Sequence, residues 1–476
     1  MAFLTSLLFI ALTTLLLVRK VNAQSVLFVA GILMWVAAFA FGEPAGDSPA
    51  SDEPARPLPA AGMLLQGLLD HLKGTFAEIM GGLGLMIMVI GGFVKYMDHC
   101  GASLKLVEVA LKPLRPFRRN PYLLASLTLP VGQVLFMAIP SAAGFALLWM
   151  SAVFPILTRM GVGPVSAAAV ITATTAFGVG PACATTASAM SVLSLEAVPY
   201  FLQDQLPLVW PLGIVMAVLF YFWNRRQDRS LKPAASLPQD DPGANPTPSQ
   251  PEAEPVSKEP GRVPTFYALL PLLPIIMLLL FSPWINPLAR GLDIDTTQVM
   301  LLSFLLAFVC ELIVHRAPRR VLSDISVFWK GMAEMLVGVV SLVIAADFFA
   351  DGLIRLGFIE ELVQLGGLVG LQAGGIGVLL TLMIFGAAVL MGSGNAAFFA
   401  FGPLVPGISE GLSCSGSYLL LPMQLAASMG RTLSPVSGVL IAVAAPARIT
   451  PLDIARRNLL PLLGTLLIML LLHFVF

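Results

Sequence analysis

The chain has 476 residues, a mean hydropathy of +0.88 and only 11% charged residues, where an ordinary soluble domain carries about a quarter. Its 27 basic and 27 acidic side chains cancel, so net charge offers nothing to attract nucleic acid, and no nucleic-acid partner is expected. Many stretches approach the roughly 20 apolar residues a spanning helix needs, which makes this an all-α polytopic membrane protein whose solvent is the lipid bilayer.

In chain order, the first apolar stretch (2–18) has no basic residues before it, and a second (25–42) follows at once. This reads as a retained helix rather than a cleaved signal. An acidic, Pro-rich loop (43–57) and an amphipathic lead-in (61–77) precede a third span near 78–97. An amphipathic arm, LKLVEVALKPL (104–114), ends at the basic cluster RPFRRN (115–120). Apolar segments at 121–159 and 165–198 and a span at 206–223 lead to NRRQDR (224–229). Basic clusters mark the cytoplasmic side, so Arg19-Lys20, Arg115–Arg119 and Arg225–Arg229 lie inside, and the N-terminus and the 43–57 loop outside. Residues 230–262 are rich in Pro, Ser, Ala and acidic residues and nearly lack large apolar ones. Such a segment cannot offset its chain entropy by burial and reads as a disordered cytoplasmic linker.

The remainder repeats the plan. Spans at 265–282 and 297–314 flank a loop with Asp293 and Asp295, and HRAPRR (315–320) is basic and so cytoplasmic. A span at 335–350 is followed by a second amphipathic arm (352–367). Apolar runs follow at 374–391, 396–408, 417–428 and 436–446, with a last helix near 458–476. Sliding the halves by 252–256 positions lays 91–109 on 347–365, Gly101 over Gly357. It also lays IPSAAG (139–144) on MGSGNA (391–396), Ser141 over Ser393, and GVGPACATT (178–186) on TLSPVSGVL (432–440), Pro181 over Pro435. The arm ends inside in the first half and its counterpart lies outside in the second. The expected architecture is therefore two inverted-topology repeats, 1–229 and 263–476, with the binding site at the midplane between them.

Two polar breaks organise the second half: GSGNAAFFAF (392–401) and GRTLSPVSGV (430–439). Irregular polar backbone at membrane depth is tolerated only where protein buries it or where it lines a cavity, and paired breaks of this kind point to a transporter site. Half-helices ending there aim N-terminal amides, carrying roughly half a positive charge, at one point, which suits a small carboxylate anion. The substrate-binding residues expected are Ser393, Gly394, Asn395, Arg431, Thr432, Ser434 and Ser437, with first-half counterparts Ser141, Thr185 and Thr186. Arg431 is the sharpest of them, because a guanidinium binds a carboxylate with two parallel bonds and charge within membrane sequence is functional by default. Carbonyls and hydroxyls near Ser141, Ser393 and Asn395 can instead hold Na⁺. Lys95, Asp98, Asp347 and Asp351, at the ends of the paired third spans, read as interface anchors, as do Glu311 and Glu334.

The other motifs carry less. The four cysteines (Cys100, Cys183, Cys310, Cys414) and four histidines (His71, His99, His315, His473) lack ligand spacing, so neither a disulfide framework nor a structural metal is expected. GISEG (407–411) matches the GxSxG nucleophile pattern but lacks its strand–turn–helix setting, so a membrane-embedded serine hydrolase using Ser409 or Ser393 is disfavoured and no enzyme is expected.

GSGNAAFFAF and MGRTLSPVSGVLIAVA, with PYLLA (121–125), ALKPL (110–114), GGFVKYM (91–97) and YALLPLLPII (267–276), resemble the anaerobic C4-dicarboxylate transporters of the DcuC type over nearly the whole chain outside the linker. The resemblance implies a bacterial inner-membrane carrier of succinate, fumarate and malate, working by efflux, uptake or exchange, with Na⁺ or H⁺ as coupling ion. It also implies kinship with ion-transporter folds that combine scaffold and transport domains, re-entrant hairpins (near 131–150 and 385–405), breaks near 178–186 and 430–438, an elevator motion and a homodimer. PSAAG and GPACATT carry fewer polar and acidic groups than the family's SSATG and PTSGD-like motifs. A carrier of another organic anion and a sodium/proton antiporter are therefore the alternatives.

Overall fold

The computed structural model describes residues 2–19, 21–41, 60–230, 263–282, 285–286, 294–368 and 372–475. The expected 43–57 loop, Asp293 and all of the expected linker except Ser230 lie outside the described residues. Among the described residues nine helices are long and apolar enough to cross a membrane, and a tenth span is a pair bent by 40°.

The helices run in order α1 (Ala2–Val18), α2 (Ala23–Ala40), α3 (Ala60–Gly81), α4 (Leu83–His99), α5 (Ala102–Leu111), α6 (Pro121–Ala138), α7 (Ala142–Arg159), α8 (Pro164–Ala173), α9 (Ala184–Leu193), α10 (Ala197–Pro199) and α11 (Leu206–Ser230). Then come α12 (Leu273–Phe281), α13 (Thr296–His315), α14 (Pro318–Met335), α15 (Ser341–Arg355), α16 (Phe358–Leu368), α17 (Ala373–Met391), α18 (Gly394–Phe401), α19 (Val405–Gly411), α20 (Gly416–Leu433), α21 (Gly438–Ala447) and α22 (Pro451–Phe474). The third span near 78–97 is the bent pair: α3 and α4 meet at Gly82. The expected span at 335–350 is longer than its apolar run, since α14 and α15 join through a π-helical turn (Leu336–Val340) into one 38-residue helix.

Local sequence explains the boundaries. Asn22 accepts from the amides of Gln24 and Ser25 at the start of α2, and Asn120 with Pro121 starts α6. Capping boxes Asp295–Gln298 and Thr450–Asp453 start α13 and α22. The aligned pair Gly101 and Gly357 both take left-handed φ, 77° and 71°, turning α4 into α5 and α15 into α16. Ser141 and Ser393 likewise share an extended conformation as the residues before α7 and α18.

Two large apolar cores result. One gathers α4 to α8, α11, α21 and α22; the other gathers α2, α9, α15 and α17 to α19. The helix α20 straddles both, with Leu425 and Met429 in the first and Met423 and Ala427 in the second. Two segments are thus exchanged between the halves. Ala187, Ala189 and Met190 of α9 are buried in the core built mainly of second-half helices, where α9 meets α18 and α20 as well as α4, and Val439, Leu440, Val443 and Ala444 of α21 in the one built mainly of first-half helices, against α7 and α8 as well as α22.

Candidate functional site

The exchange makes two broken helices, α8–α9 and α20–α21, cross at their unwound stretches. The first stretch is longer and starts earlier than expected: it covers Thr174–Cys183, and helix resumes at Ala184 rather than after 186. The second is shorter. Helix continues through Leu433, so Arg431 and Thr432 occupy the last turn of α20 rather than the break, which is confined to 434–437. The i→i+4 ladder survives there because Pro435 ends the helix only at the residue before it.

The crossing is joined by buried hydrogen bonds. Arg431 Nη2 donates to the Thr175 carbonyl at 2.6 Å, one of the carbonyls left open at the end of α8. Gly178 N donates to Ser428 Oγ at 3.1 Å. Gln424 Nε2 donates to Gly178 O at 2.7 Å and to Thr186 Oγ1 at 2.9 Å, while Tyr200 Oη donates to Gln424 Oε1 at 2.9 Å. Gln205 Nε2 donates to Thr186 Oγ1 at 3.0 Å, and its Oε1 accepts from Gly180 N at 3.0 Å. Beneath these, Asn458 Nδ2 of α22 reaches Thr172 Oγ1 (3.0 Å) and Thr432 O (3.1 Å), tying the ends of α8 and α20 together. Networks buried at this depth are worth most when every member is paired.

The hairpin tip of the second half closes on this crossing. Gly392 has φ 70°, and a Cβ there would meet Val436 backbone at 3.0 Å; a Cβ on Gly394 would sit 2.5 Å from Ala427 O. The tip is therefore seated on both sides of Arg431 and Ser434. Gly394→Ala is expected to unseat it, because the clash is with backbone rather than a flexible side chain. A stability loss of about 1–3 kcal/mol follows from overpacking, read as a lowered thermal midpoint in detergent together with lost transport.

The expected site residues divide into two groups. Ser393 Oγ accepts from Ala396 N at 3.2 Å and Ser437 Oγ from Val439 N at 3.3 Å, so both cap the half-helices that start beside them. Thr432 Oγ1 donates to Ser428 O within α20, a local helix bond, while Thr185 Oγ1 donates to Gly178 O at 3.3 Å and, with Thr186, accepts from Gln424 Nε2, so these two hold the crossing. By contrast Ser434 Oγ and Arg431 Nε are buried with no protein partner. Asn395 lies half-buried in the first turn of α18 and makes no side-chain hydrogen bond among the described residues. Ser141 belongs to the other hairpin, which packs on Gly180 through Met137; its side chain is not hydrogen-bonded to Ser393 or Asn395. Among the described residues no group of three or more His, Cys, Asp or Glu side chains could hold a metal ion.

Gln205, Gln424, Tyr200, Ser428 and Asn458 were not singled out from sequence. The available signal was a lone amide within an apolar run, LLLPMQLAAS for Gln424. Ser409 of the GISEG match sits in α19, where its Oγ donates to Pro406 O at 2.8 Å, a local helix bond and not a nucleophile–base pair.

Electrostatically the crossing is simple. Arg431 is the only formally charged residue in 164–193, 392–404 or 416–447. One guanidinium and the N-terminal ends of α18 and α21 confront no carboxylate, and such a site favours an anion. Two cavities lie elsewhere. One of about 440 Å3 is bounded by α5, α6 and α7 with Glu108 and Lys112 in its wall; one of about 350 Å3 lies beside α3 and α15.

Crossed broken helices inside a bundle of spanning helices, closed by a hairpin tip, define a membrane transport protein rather than an enzyme. Two solved structures share this fold over nearly the whole chain. MtrF of Neisseria gonorrhoeae, presented as one of a class of antimetabolite efflux pumps, superimposes with TM-score 0.59 at 13% identity, covering 97% of each chain. The YdaH transporter of Alcanivorax borkumensis, noted for an unusual topology, gives TM-score 0.58 at 15% identity over 94% of this chain and 98% of that one. The chain belongs to the DcuC family of C4-dicarboxylate anaerobic carriers, which it matches over residues 1–476. It is 30% identical over 453 residues to the anaerobic C4-dicarboxylate transporter DcuC of Escherichia coli K12, covering 95% of this chain and 92% of that one. It is 31% identical over 450 residues to the probable DcuC of Vibrio cholerae, covering 94% and 92%.

Proposed function

We propose that the protein is a secondary active carrier of C4-dicarboxylates such as succinate, fumarate and malate. The observation that carries this is the lone Arg431 at the crossing of the two broken helices, with family membership supplying the substrate class. Arg431 pairs one carboxylate; the second is met by amides at the start of α18 and α21 and by the free hydroxyl and amide of Ser434 and Asn395. Ser393, Gly394 and Ser437 shape the tips, and Thr432, Thr185, Thr186 and Ser141 position the walls. Residues 1–229 and 263–476 act as inverted repeats whose hairpins and crossed helices form the moving part against a scaffold. Coupling is to Na⁺, held near Ser141, Ser393 and Asn395, or to H⁺. The chain sits as a homodimer in the bacterial inner membrane, N-terminus outside and linker cytoplasmic, in line with its basic clusters.

The test is labelled succinate uptake into proteoliposomes preloaded with fumarate, with Na⁺ and proton gradients imposed separately. Saturable counterflow competed by unlabelled malate is the expected result, and the gradient that drives net uptake names the coupling ion. Counterflow absent for C4-dicarboxylates but present for another organic anion would reassign the substrate.

A further inference from the structure

The cavity of about 350 Å3 is bounded by His71, Thr75 and Glu78 of α3, by Asp347 and Asp351 of α15, and by Pro403. His71 Nε2 lies 3.2 Å from Asp351 Oδ2. Aromatic rings fix the imidazole: Trp35 of α2 is stacked with it at 6.3 Å, and Phe348 meets it edge-on at 5.2 Å. Asp351 Oδ2 also accepts from Arg355 Nε at 2.7 Å, and the Arg355 guanidinium lies 5.7 Å from the Trp35 ring centre.

The charges facing this cavity can be counted element by element. α3 supplies His71 and the exposed Glu78, its Asp70 and Lys73 lying outside the cavity wall; α15 supplies Asp347, Asp351 and Arg355. α2, α18 and the turn holding Pro403 carry no charged residue, while Glu360 and Glu361 of α16 and Glu410 of α19 are exposed. Three carboxylates therefore oppose one permanent cation. The charge of the imidazole, the side chain that switches between about pH 5 and 8, decides the local balance.

The repeat sharpens the point. Aligning 91–109 with 347–365 puts Lys95 at the position of Asp351, and Lys95 is ion-paired with Glu334 of α14. Lys95–Glu334 and His71–Asp351 thus occupy corresponding places, each joining a side chain of one half to one of the other, and only the second contains an imidazole. The titratable site also touches the machinery at the crossing. Pro403 lies two residues beyond α18, whose other end is the 392–394 tip; Phe401 packs edge-on against Phe349 of α15 at 6.2 Å. Eight helical residues, about 12 Å, separate cavity wall from tip.

We propose that His71, with Asp347 and Asp351, forms a proton-binding site at the seam between α3, α15 and the hairpin helix α18, and that its occupancy sets how readily the 392–394 tip moves. Protonation cuts the excess from two negative charges to one, so the seam can close on Pro403 with less negative charge buried; deprotonation holds it apart. The proton-binding part stands alone, and the tip part rests on the transport reading above.

The full chain in proteoliposomes serves for both parts. Imidazolium against indole quenches tryptophan emission, so a fluorescence step between about pH 5 and 8 is expected. It should vanish in His71→Gln and in Trp35→Phe, and change in Asp351→Asn, which removes the neighbouring anion. A step unchanged in both His71→Gln and Asp351→Asn overturns the proton site. In succinate counterflow, the ratio of His71→Gln to wild-type rate is expected to vary across the same window; taking the ratio cancels titration of succinate itself. A constant ratio overturns the link to the tip. If the wild type carries no succinate, the substrate reading fails while the fluorescence titration still decides the proton site.

Discussion

Arg431→Ala is expected to abolish succinate counterflow and to weaken succinate binding by about 3 kcal/mol, roughly 100-fold, the scale of a lost bidentate charge-assisted pair. Arg431 has two tasks. Its Nη2 holds the open Thr175 carbonyl at the end of α8, and its Nε is left without a protein partner beside the seated tip. Arg431→Lys retains the charge but has no planar fork, and cannot serve carbonyl and carboxylate together. It is expected to keep the fold and lose about tenfold in succinate affinity. Ligand-induced thermal shift in detergent separates the tasks: loss of the succinate-dependent shift reports the anion role, and a fall in the ligand-free midpoint reports the lost cap. Unaltered succinate transport by Arg431→Ala would remove Arg431 from the binding role.

The largest expected effect on stability is Arg457→Leu. Asp228, at the end of α11, accepts from Arg457 Nη1 (2.7 Å), Ser166 Oγ (2.7 Å), Gly163 N (3.0 Å) and Tyr122 Oη (3.3 Å), and Arg457 also reaches Ser166. These contacts join α11, α22, the start of α8 and α6, and both charged side chains are nearly buried, at 9% and 10% exposure. Removing the guanidinium leaves a carboxylate in a site built for an ion pair, a loss of about 3–5 kcal/mol. The double variant Asp228→Leu/Arg457→Leu is expected to recover part of it, because no charge is then stranded. Unfolding midpoints of the two variants measure the difference; equal midpoints would mean that the pair contributes through packing alone.

The parts of this protein that could be read from its sequence are those encoded locally. Apolar runs fixed most spans, and Gly101, Gly357, Ser141 and Ser393 marked turns because each acts through its own backbone. Arg431 was legible as an isolated charge in membrane-type sequence, although its place on the last turn of α20 was not, since Gly430 hid a helix that packing sustains through Leu433. Gln205 and Gln424 were invisible for a different reason: their sequence separation is 219 residues, and only the crossing supplies their partners. His71 was equally mute, as one polar residue of an amphipathic lead-in, until Asp351, 280 positions later, was placed beside it.

The exchange of α9 and α21 bears on biogenesis. Each is 10 residues long, about 15 Å of helix, half of what a bilayer core requires. When ribosomal synthesis has reached Leu193, α9 has no second-half helices against which to bury Ala187, Ala189 and Met190, and the pocket that will receive α21 stands unfilled until Ala444 emerges. The early helices must wait in the membrane, or beside the insertion machinery, with polar breaks uncovered. The later helices must then find their places in a bundle begun some 250 residues before.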